Sequence, residues 1–164
     1  MIHRGLVCAV LVAGAISISY AQTPPASPRT HVMFTEPQIK WGDPPPALPK
    51  GATVAVLSGD PSQAGPFTIR AKFPAGYKIA AHWHPTDEHL TVLSGTFSLG
   101  TGDAFDMKAL HDMPAGSFGV MPAEMRHFAY TKGGATIQIH GTGPFVLNYV
   151  NPKDDPRNAA PAAN

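Results

Sequence analysis

Two histidines and a glutamate stand close together in one short stretch of the sequence, as His82, His84 and Glu88. In an extended strand the side chains alternate between faces, so His82 and His84 point the same way. Their Cα atoms are then about 6.5–7 Å apart, and both imidazoles can reach one ion at about 2.0–2.1 Å. Residues 85–87 can turn the chain so that Glu88 begins the next strand facing that ion. The spacing predicts a metal site, with His127 as a fourth candidate ligand.

These side chains must be positioned by strands, because the rest of the sequence has the pattern of a β protein. Glycine- and proline-rich turn signals separate short apolar or alternating runs, and no run outside the N-terminal segment has a convincing helical period. Eight such short strands predict an all-β fold, either a closed barrel or a double sheet. The predicted strands are Thr53–Leu57, Phe67–Phe73, Lys78–His84, His89–Leu99, Phe118–Met121, His127–Thr131, Ala135–His140 and Phe145–Val150.

Length and charge exclude some classes of function. The chain has 164 residues, enough for one domain, with 43% hydrophobic and only 14% charged residues and a formal net charge of +1. No basic stripe is present, so a nucleic-acid partner is not expected.

The first 21 residues have the pattern of a secretory signal peptide. A short segment containing Arg4 precedes an apolar run, and small residues end at Ala21, after which cleavage is expected. The apolar run is shorter than the ~20 residues of a membrane span. We therefore expect a periplasmic or secreted protein with no membrane attachment after cleavage. The sole cysteine, Cys8, lies in this segment, so the mature chain would form no disulfide.

Composition divides the remaining chain into three parts. Residues 22–50 contain eight prolines, and they are predicted to form a linker followed by an extended N-terminal arm that lies on the domain. Residues 51–150 hold the predicted strands. Residues 151–164 are predicted to be a flexible tail.

The stretch that contains the two histidines and the glutamate resembles the first motif of the cupin superfamily, G-x5-H-x-H-x3-E-x6-G. All defined positions match, and they are Gly76, His82, His84, Glu88 and Gly95.

The segment before His127 resembles the second cupin motif, G-x5-P-x-G-x2-H-x3-N. Gly116, Pro122 and His127 match, whereas Glu124 and Thr131 stand where glycine and asparagine are usual. Glycine tolerates backbone angles that other residues resist, so Glu124 is expected to alter or strain the local turn.

The resemblance implies a cupin-type jelly-roll barrel, also called a double-stranded β-helix, of the small single-domain exported bacterial kind. It implies one metal ion bound by His82, His84, Glu88 and His127. It also implies a possible homodimer in which the N-terminal arm contacts the partner.

The donor set suits several divalent transition metals. Three imidazoles and one carboxylate fit iron, manganese, nickel, copper or zinc. Because metal would be acquired after export, the affinity order favours copper or zinc.

Two residues are candidates for a catalytic role. Glu88 could serve as both metal ligand and proton acceptor. His140 shares one strand face with Thr136 and Gln138, and this polar face is predicted to line the cavity, where His140 or Tyr130 would place the substrate. His89 follows Glu88 and by alternation should face away from the ion.

Two classes of function are compatible with these residues. The first is an enzyme acting on a small oxygen-containing molecule chelated to the metal, as a dioxygenase or as a lyase or isomerase. The second is a non-catalytic module that binds a small ligand or a metal.

Overall fold

The computed structural model of the protein describes residues 31–159. The predicted signal peptide at residues 1–21, with Cys8, lies outside the described residues, as do residues 22–30 and 160–164. The described part of the chain contains no helix that is long and apolar enough to cross a membrane.

Within residues 31–159 the chain forms nine strands and four 3-10 turns. The strands are β1 (Thr53–Ser58), β2 (Gly65–Phe73), β3 (Tyr77–Trp83), β4 (Glu88–Thr101), β5 (His111–Pro114), β6 (Phe118–Met121), β7 (His127–Thr131), β8 (Ala135–Gly143) and β9 (Asn148–Tyr149). The 3-10 turns are Glu36–Gln38, Met107–Ala109, Pro152–Asp154 and Pro156–Asn158.

The strands form one curled antiparallel sheet in the order β1-β2-β8-β4-β7-β3-β9, with β5 and β6 also paired to β4. The curled sheet forms a half-barrel, and the 14-residue strand β4 runs through both parts of it. Its first part pairs with β6 and β8, and its last part pairs with β5 and β7. The prediction of an all-β, cupin-type fold is confirmed.

The hydrophobic core lies inside the curl of the sheet, and strand alternation places it there. In β2 the buried residues are Phe67, Ile69, Ala71 and Phe73, and the residues between them are partly exposed. One face of the strand therefore packs inward and the other faces solvent, as in an antiparallel sheet with one wet side.

The N-terminal arm lies along the open side of the sheet. Gly42 exchanges two backbone hydrogen bonds with Val54 of β1, at 2.9 and 3.0 Å. On the other side, the Tyr149 hydroxyl of β9 donates to the carbonyl of Ala47 at 2.8 Å, and the Tyr77 hydroxyl of β3 donates to the carbonyl of Pro49. The arm thus bridges both edges of the sheet within one chain.

The structure corrects two strand predictions. Of the apolar run 145–150, only Asn148–Tyr149 pairs as a strand, while the backbone N–H groups of Phe145 and Val150 donate to the carbonyls of Pro61 and Ala81 outside regular pairing. Conversely, His111–Pro114 pairs with β4 although it has no strand pattern, because tertiary pairing overrides weak local preference.

Residues 151–159, within the predicted flexible tail, have local backbone structure. This segment forms two 3-10 turns, each begun by a side chain that accepts a backbone hydrogen bond. Asn151 accepts from Lys153 N at 3.1 Å, and Asp155 accepts from Arg157 N at 2.9 Å. Such caps supply partners that a featureless tail would lack.

Replacement of Gly95 by alanine should destabilise the fold more than replacement of Gly76. Both glycines have similar positive φ values, 73° and 75°, so each alanine costs about 1–2 kcal/mol in backbone strain. Only at Gly95 would the new Cβ meet backbone, 2.2 Å from the Gly134 oxygen, whereas Gly76 has open space. We expect urea unfolding to give a free energy of unfolding about 1–3 kcal/mol lower for Gly95→Ala than for Gly76→Ala. Equal losses would contradict the packing argument.

Candidate metal centre

Three buried histidines converge at one end of the sheet. His82 lies near the end of β3, His84 directly follows β3, and His127 begins β7, where it pairs with His82. One ring nitrogen from each histidine lies within 4.8 Å of the corresponding nitrogens of the other two, and each residue is at most 4% exposed. This cluster could hold a metal ion.

A bulge in β3 sets the direction of His82. In the pairing with β7, Ile79 lies opposite Ala129 and His82 lies opposite His127, so β3 carries one extra residue between the two pairs. Simple alternation would place His82 on the face opposite Ile79. The bulge reverses this phase, and both side chains face the same interior. The sequence analysis missed the bulge, because neither Ala80 nor Ala81 signals one.

Each histidine is fixed by a backbone carbonyl. Nδ1 of His82 donates to the Ala80 carbonyl at 2.8 Å, and Nδ1 of His127 donates to the Met125 carbonyl at 2.9 Å. Nδ1 of His84 donates to the Val146 carbonyl at 2.9 Å. A carbonyl can only accept, so Nδ1 carries the proton in all three rings. In the neutral ring Nε2 then has a free lone pair, which is the state required for metal ligation.

Glu88 adjoins the cluster from the first position of β4. Its Oε2 lies 3.5 Å from Nε2 of His84 and 3.3 Å from Nε2 of His127, and the residue is 5% exposed. Two atoms that each bind one ion at about 2.0–2.1 Å lie roughly 3.0–3.4 Å apart in tetrahedral or octahedral geometry. The observed separations therefore suit a shared cation.

Burial and charge determine the protonation of the cluster. Burial, reinforced by the neighbouring His127 and His84, lowers the pKa of His82 to about 3. Burial also lowers the pKa of His84. Burial alone would raise the pKa of Glu88, but a positive charge on the adjacent histidines would lower it and outweighs burial, so this pKa lies below its usual value. Glu88 is therefore a buried carboxylate, which is costly without a positive partner beside it.

Two hydrogen bonds join the loops that carry the ligands. Glu124 N donates to the His84 carbonyl at 2.8 Å, and Ala123 N donates to Oδ1 of Asp87 at 2.8 Å. Glu124 has φ 65° and is the one non-glycine residue with positive φ in residues 31–159. Glu124 thus adopts the left-handed conformation for which glycine is usual at this position, although the replacement had put the local turn in question. Such strain persists only where the surroundings hold it, often beside functional sites.

The loop between β8 and β9 also supports the cluster, and the sequence analysis did not identify it. The Phe145 ring stacks on His84 with centroids 4.1 Å apart and an interplanar angle of 17°, and the next residue supplies the carbonyl for Nδ1 of His84. The only signal in the sequence for this supporting loop is an aromatic residue after a Gly-Pro turn, and the same pattern is equally typical of a strand.

The structure does not bring His140 to the cluster. His140 is exposed and stacks on His89 of β4, with centroids 4.9 Å apart. The cavity is lined instead by the opposite face of β8, including Ile139, so the prediction that the polar face lines the cavity is wrong. Tyr130 alternates with the cavity-lining Ala129 and also faces away.

A cavity of about 660 Å³ adjoins the cluster. His82, His84 and Glu88 form part of its wall, together with aliphatic and aromatic side chains from the sheet. The arrangement can therefore place a small molecule directly against the ligand-bearing side chains.

Comparison with protein families agrees with the motifs. The family model described as the ChrR cupin-like domain matches residues 29–146. No curated protein matches the sequence significantly.

Several solved structures share the fold. Polyketide cyclase RemF from Streptomyces resistomycificus has a TM-score of 0.63 and 16% identity, covering 78% of this chain and 91% of RemF. An acetylacetone dioxygenase from Acinetobacter johnsonii has a TM-score of 0.61 and 17% identity, covering 84% and 88%. KdgF from a Halomonas species has a TM-score of 0.53 and 17% identity, covering 70% and 96%. At these identities the likeness concerns the fold.

The double variant His82→Ala, His84→Ala should lose its bound metal and melt at a lower temperature than the wild type. Metal that binds only the native state raises stability by mass action, and the variant removes two of the converging nitrogens. Elemental analysis and thermal unfolding check this. The matched control is His89→Ala, His140→Ala, which removes the stacked pair on the outer face and should retain metal. Unchanged metal content in the first variant would refute the ligand assignment.

The metal-free protein should lose stability as the pH falls from about 6.5 towards 5. In the unfolded chain His82 binds a proton near its ordinary pKa of 6.5, but in the native state only near pH 3. The unfolded state therefore binds more protons in this window, and the free energy of unfolding falls as the pH is lowered. Chelator-treated protein should show this in urea titrations, and His82→Asn should show a shallower dependence. If the free energy of unfolding depends on pH as steeply in His82→Asn as in the wild type, the attribution of this dependence to His82 is contradicted.

Proposed function

The chain belongs to the ChrR cupin-like family of the cupin superfamily, and we propose that it is a metal-dependent enzyme. In this proposal one divalent transition metal is held by His82, His84, Glu88 and His127, and the substrate is a small oxygen-containing organic molecule. The observation that carries the proposal is a cluster of three buried histidine rings, each fixed through Nδ1 by a carbonyl, with the Glu88 carboxylate 3.5 and 3.3 Å from Nε2 of His84 and His127, beside a cavity.

The residues fit such a metal by their chemistry. Imidazole nitrogens and a carboxylate oxygen are ligands for iron, manganese, nickel, copper and zinc. When bound, the ion would polarise the oxygen atoms of a substrate and, if redox-active, would support reaction with dioxygen.

The protein's own groups have separate roles. The carbonyls of Ala80, Met125 and Val146 keep the rings in the ligating tautomer. Glu88 is a buried carboxylate within reach of the same space, so it can accept a proton from a substrate that becomes more acidic there. The apolar wall excludes water from the reacting groups.

A dioxygenase is the reaction class that we favour. Its support is the likeness to an acetylacetone dioxygenase, whose named substrate is a β-diketone with two oxygen donors. This is an argument from fold and site together, since one fold hosts many reactions. If the bound metal is zinc, which is not redox-active, we expect a lyase, an isomerase or a cyclase instead.

A second candidate is a non-catalytic module that binds a small ligand. One observation favours it: outside the cluster, the titratable side chains on the described cavity wall are Asp43 and Arg157. A catalytic acid separate from the cluster is therefore not evident along that wall.

Export is part of the same proposal. Residues 1–21 would direct the chain to the periplasm or the medium, where it would acquire its metal, and the affinity order there favours copper or zinc. A homodimer is proposed as well, and its test is the molar mass in solution.

The proposed activity predicts metal-dependent oxygen uptake. Protein loaded in turn with iron, manganese, nickel and copper should consume oxygen with at least one member of a panel of β-dicarbonyls, catechols and flavonols. Glu88→Gln should lower the rate by about 10²–10⁴-fold if Glu88 accepts the proton, whereas Glu124→Gln, an exposed carboxylate, should leave it unchanged. An oxygen electrode and product analysis check this. Substrate conversion without oxygen uptake would indicate a non-redox lyase, isomerase or cyclase. If no substrate is converted with any of the metals, the proposal that the protein is an enzyme is contradicted.

A further inference from the structure

The wall of the cavity beyond the cluster is almost wholly hydrocarbon. It is formed by residues of six strands, for example Ile69, Phe73, Leu90, Phe97, Ile137 and Ile139. These residues are 1–9% exposed and belong to the continuous core. A molecule that extends from the cluster into this space meets no hydrogen-bonding side chain among these six residues.

Of the two charged side chains on the cavity wall outside the cluster, Asp43 and Arg157, the cation is already neutralised. Nη2 of Arg157 lies 2.7 Å from Oδ2 of Asp155 and donates to the Leu147 carbonyl at 3.1 Å. The side chain of Arg157 is 41% exposed, so water screens it further. Arg157 is therefore not a free cation that would select an anionic substrate.

The arm contributes mainly apolar groups to the wall. Residues 45–48, Pro-Pro-Ala-Leu, all line the cavity, together with the carboxylate of Asp43. Because proline has no backbone N–H, residues 45–48 offer few donors to a polar ligand. Apart from Asp43, Ser62 and Arg157, the polar side chains on the wall are the histidines and Glu88.

We propose that the substrate is a mainly apolar, uncharged molecule with its oxygen donors confined to one end. This rests on the proposed function, since the oxygen-bearing end lies against the cluster while a hydrocarbon chain or ring system fills the interior. The cavity of about 660 Å³ limits its size to about 20 non-hydrogen atoms, at roughly 30 Å³ for each water-sized group.

The same wall excludes sugars and other polyols. Each hydroxyl group moved from water to a hydrocarbon wall without a partner weakens binding. Each buried methylene group, in contrast, strengthens binding about fourfold. Selectivity therefore follows the length of the apolar part of the molecule.

A series of straight-chain alkyl hydroxamic acids from two to ten carbons tests the proposal, because each chelates metal through two oxygens and differs only in its tail. Calorimetry with zinc-loaded protein should give dissociation constants that fall about fourfold per added methylene until the cavity is filled. The two-carbon acid reports the metal site alone.

A matched pair of variants locates the tail. Ala71→Leu fills space on the cavity wall and should weaken the longest acids at least tenfold while sparing the two-carbon acid. Thr91→Leu adds bulk on the outer face of β4 and should change neither, and circular dichroism confirms the fold of both.

The outcomes separate the two proposals. If the two-carbon acid binds but longer tails bring no gain, the apolar-substrate inference is overturned and the metal site stands. If no acid binds to the zinc-loaded protein, or the protein takes up no metal at the cluster, the proposed function itself is overturned.

Discussion

The Glu88 carboxylate is buried beside ring nitrogens whose lone pairs are directed into the same space, and the other features of the site follow from this arrangement. The Nδ1 atoms of His82, His84 and His127 each donate to a carbonyl, which leaves Nε2 free in the neutral ring, and Nε2 of His84 and of His127 lie 3.5 and 3.3 Å from Oε2 of Glu88. Without a positive partner, a buried anion beside acceptors costs several kcal/mol. A divalent cation satisfies all four groups at once. In the proposed function a bound metal would therefore stabilise this arrangement as well as supply the chemistry.

The curled sheet brings these side chains together through local departures from regular structure. The bulge before His82 reverses the strand phase and presents the Ala80 carbonyl to the same ring. Glu124 takes a left-handed conformation and donates to the carbonyl of His84. Loop 144–147 adds a stacked ring and a third carbonyl. Regular strands alone would not make the three rings converge, so strain and irregularity are concentrated at the site, as is common in functional regions.

The spacing of residues was sufficient to predict most of the strands and the meeting of His82, His84, Glu88 and His127, since strand alternation and turn chemistry act over a few residues. The spacing was insufficient where contacts between residues far apart in the sequence determine which face is buried and which strands pair. The polar face of β8 was taken as the cavity wall, but the interior is apolar, so Ile137 and Ile139 face inward and His140 faces out. The bulge in β3 and the pairing of His111–Pro114 with β4 are also long-range choices. A single sequence carries no signal for them.

The most direct test of this account is the anomalous difference density of crystals grown from protein purified without chelators. The account predicts one strong peak at the cluster, about 2.0–2.2 Å from the Nε2 atoms of the three histidines and from one carboxylate oxygen of Glu88. An empty cluster after soaking in zinc, with Glu88 and His127 joined directly by a hydrogen bond, would contradict it, because a proton would then serve as the positive partner assigned here to the metal.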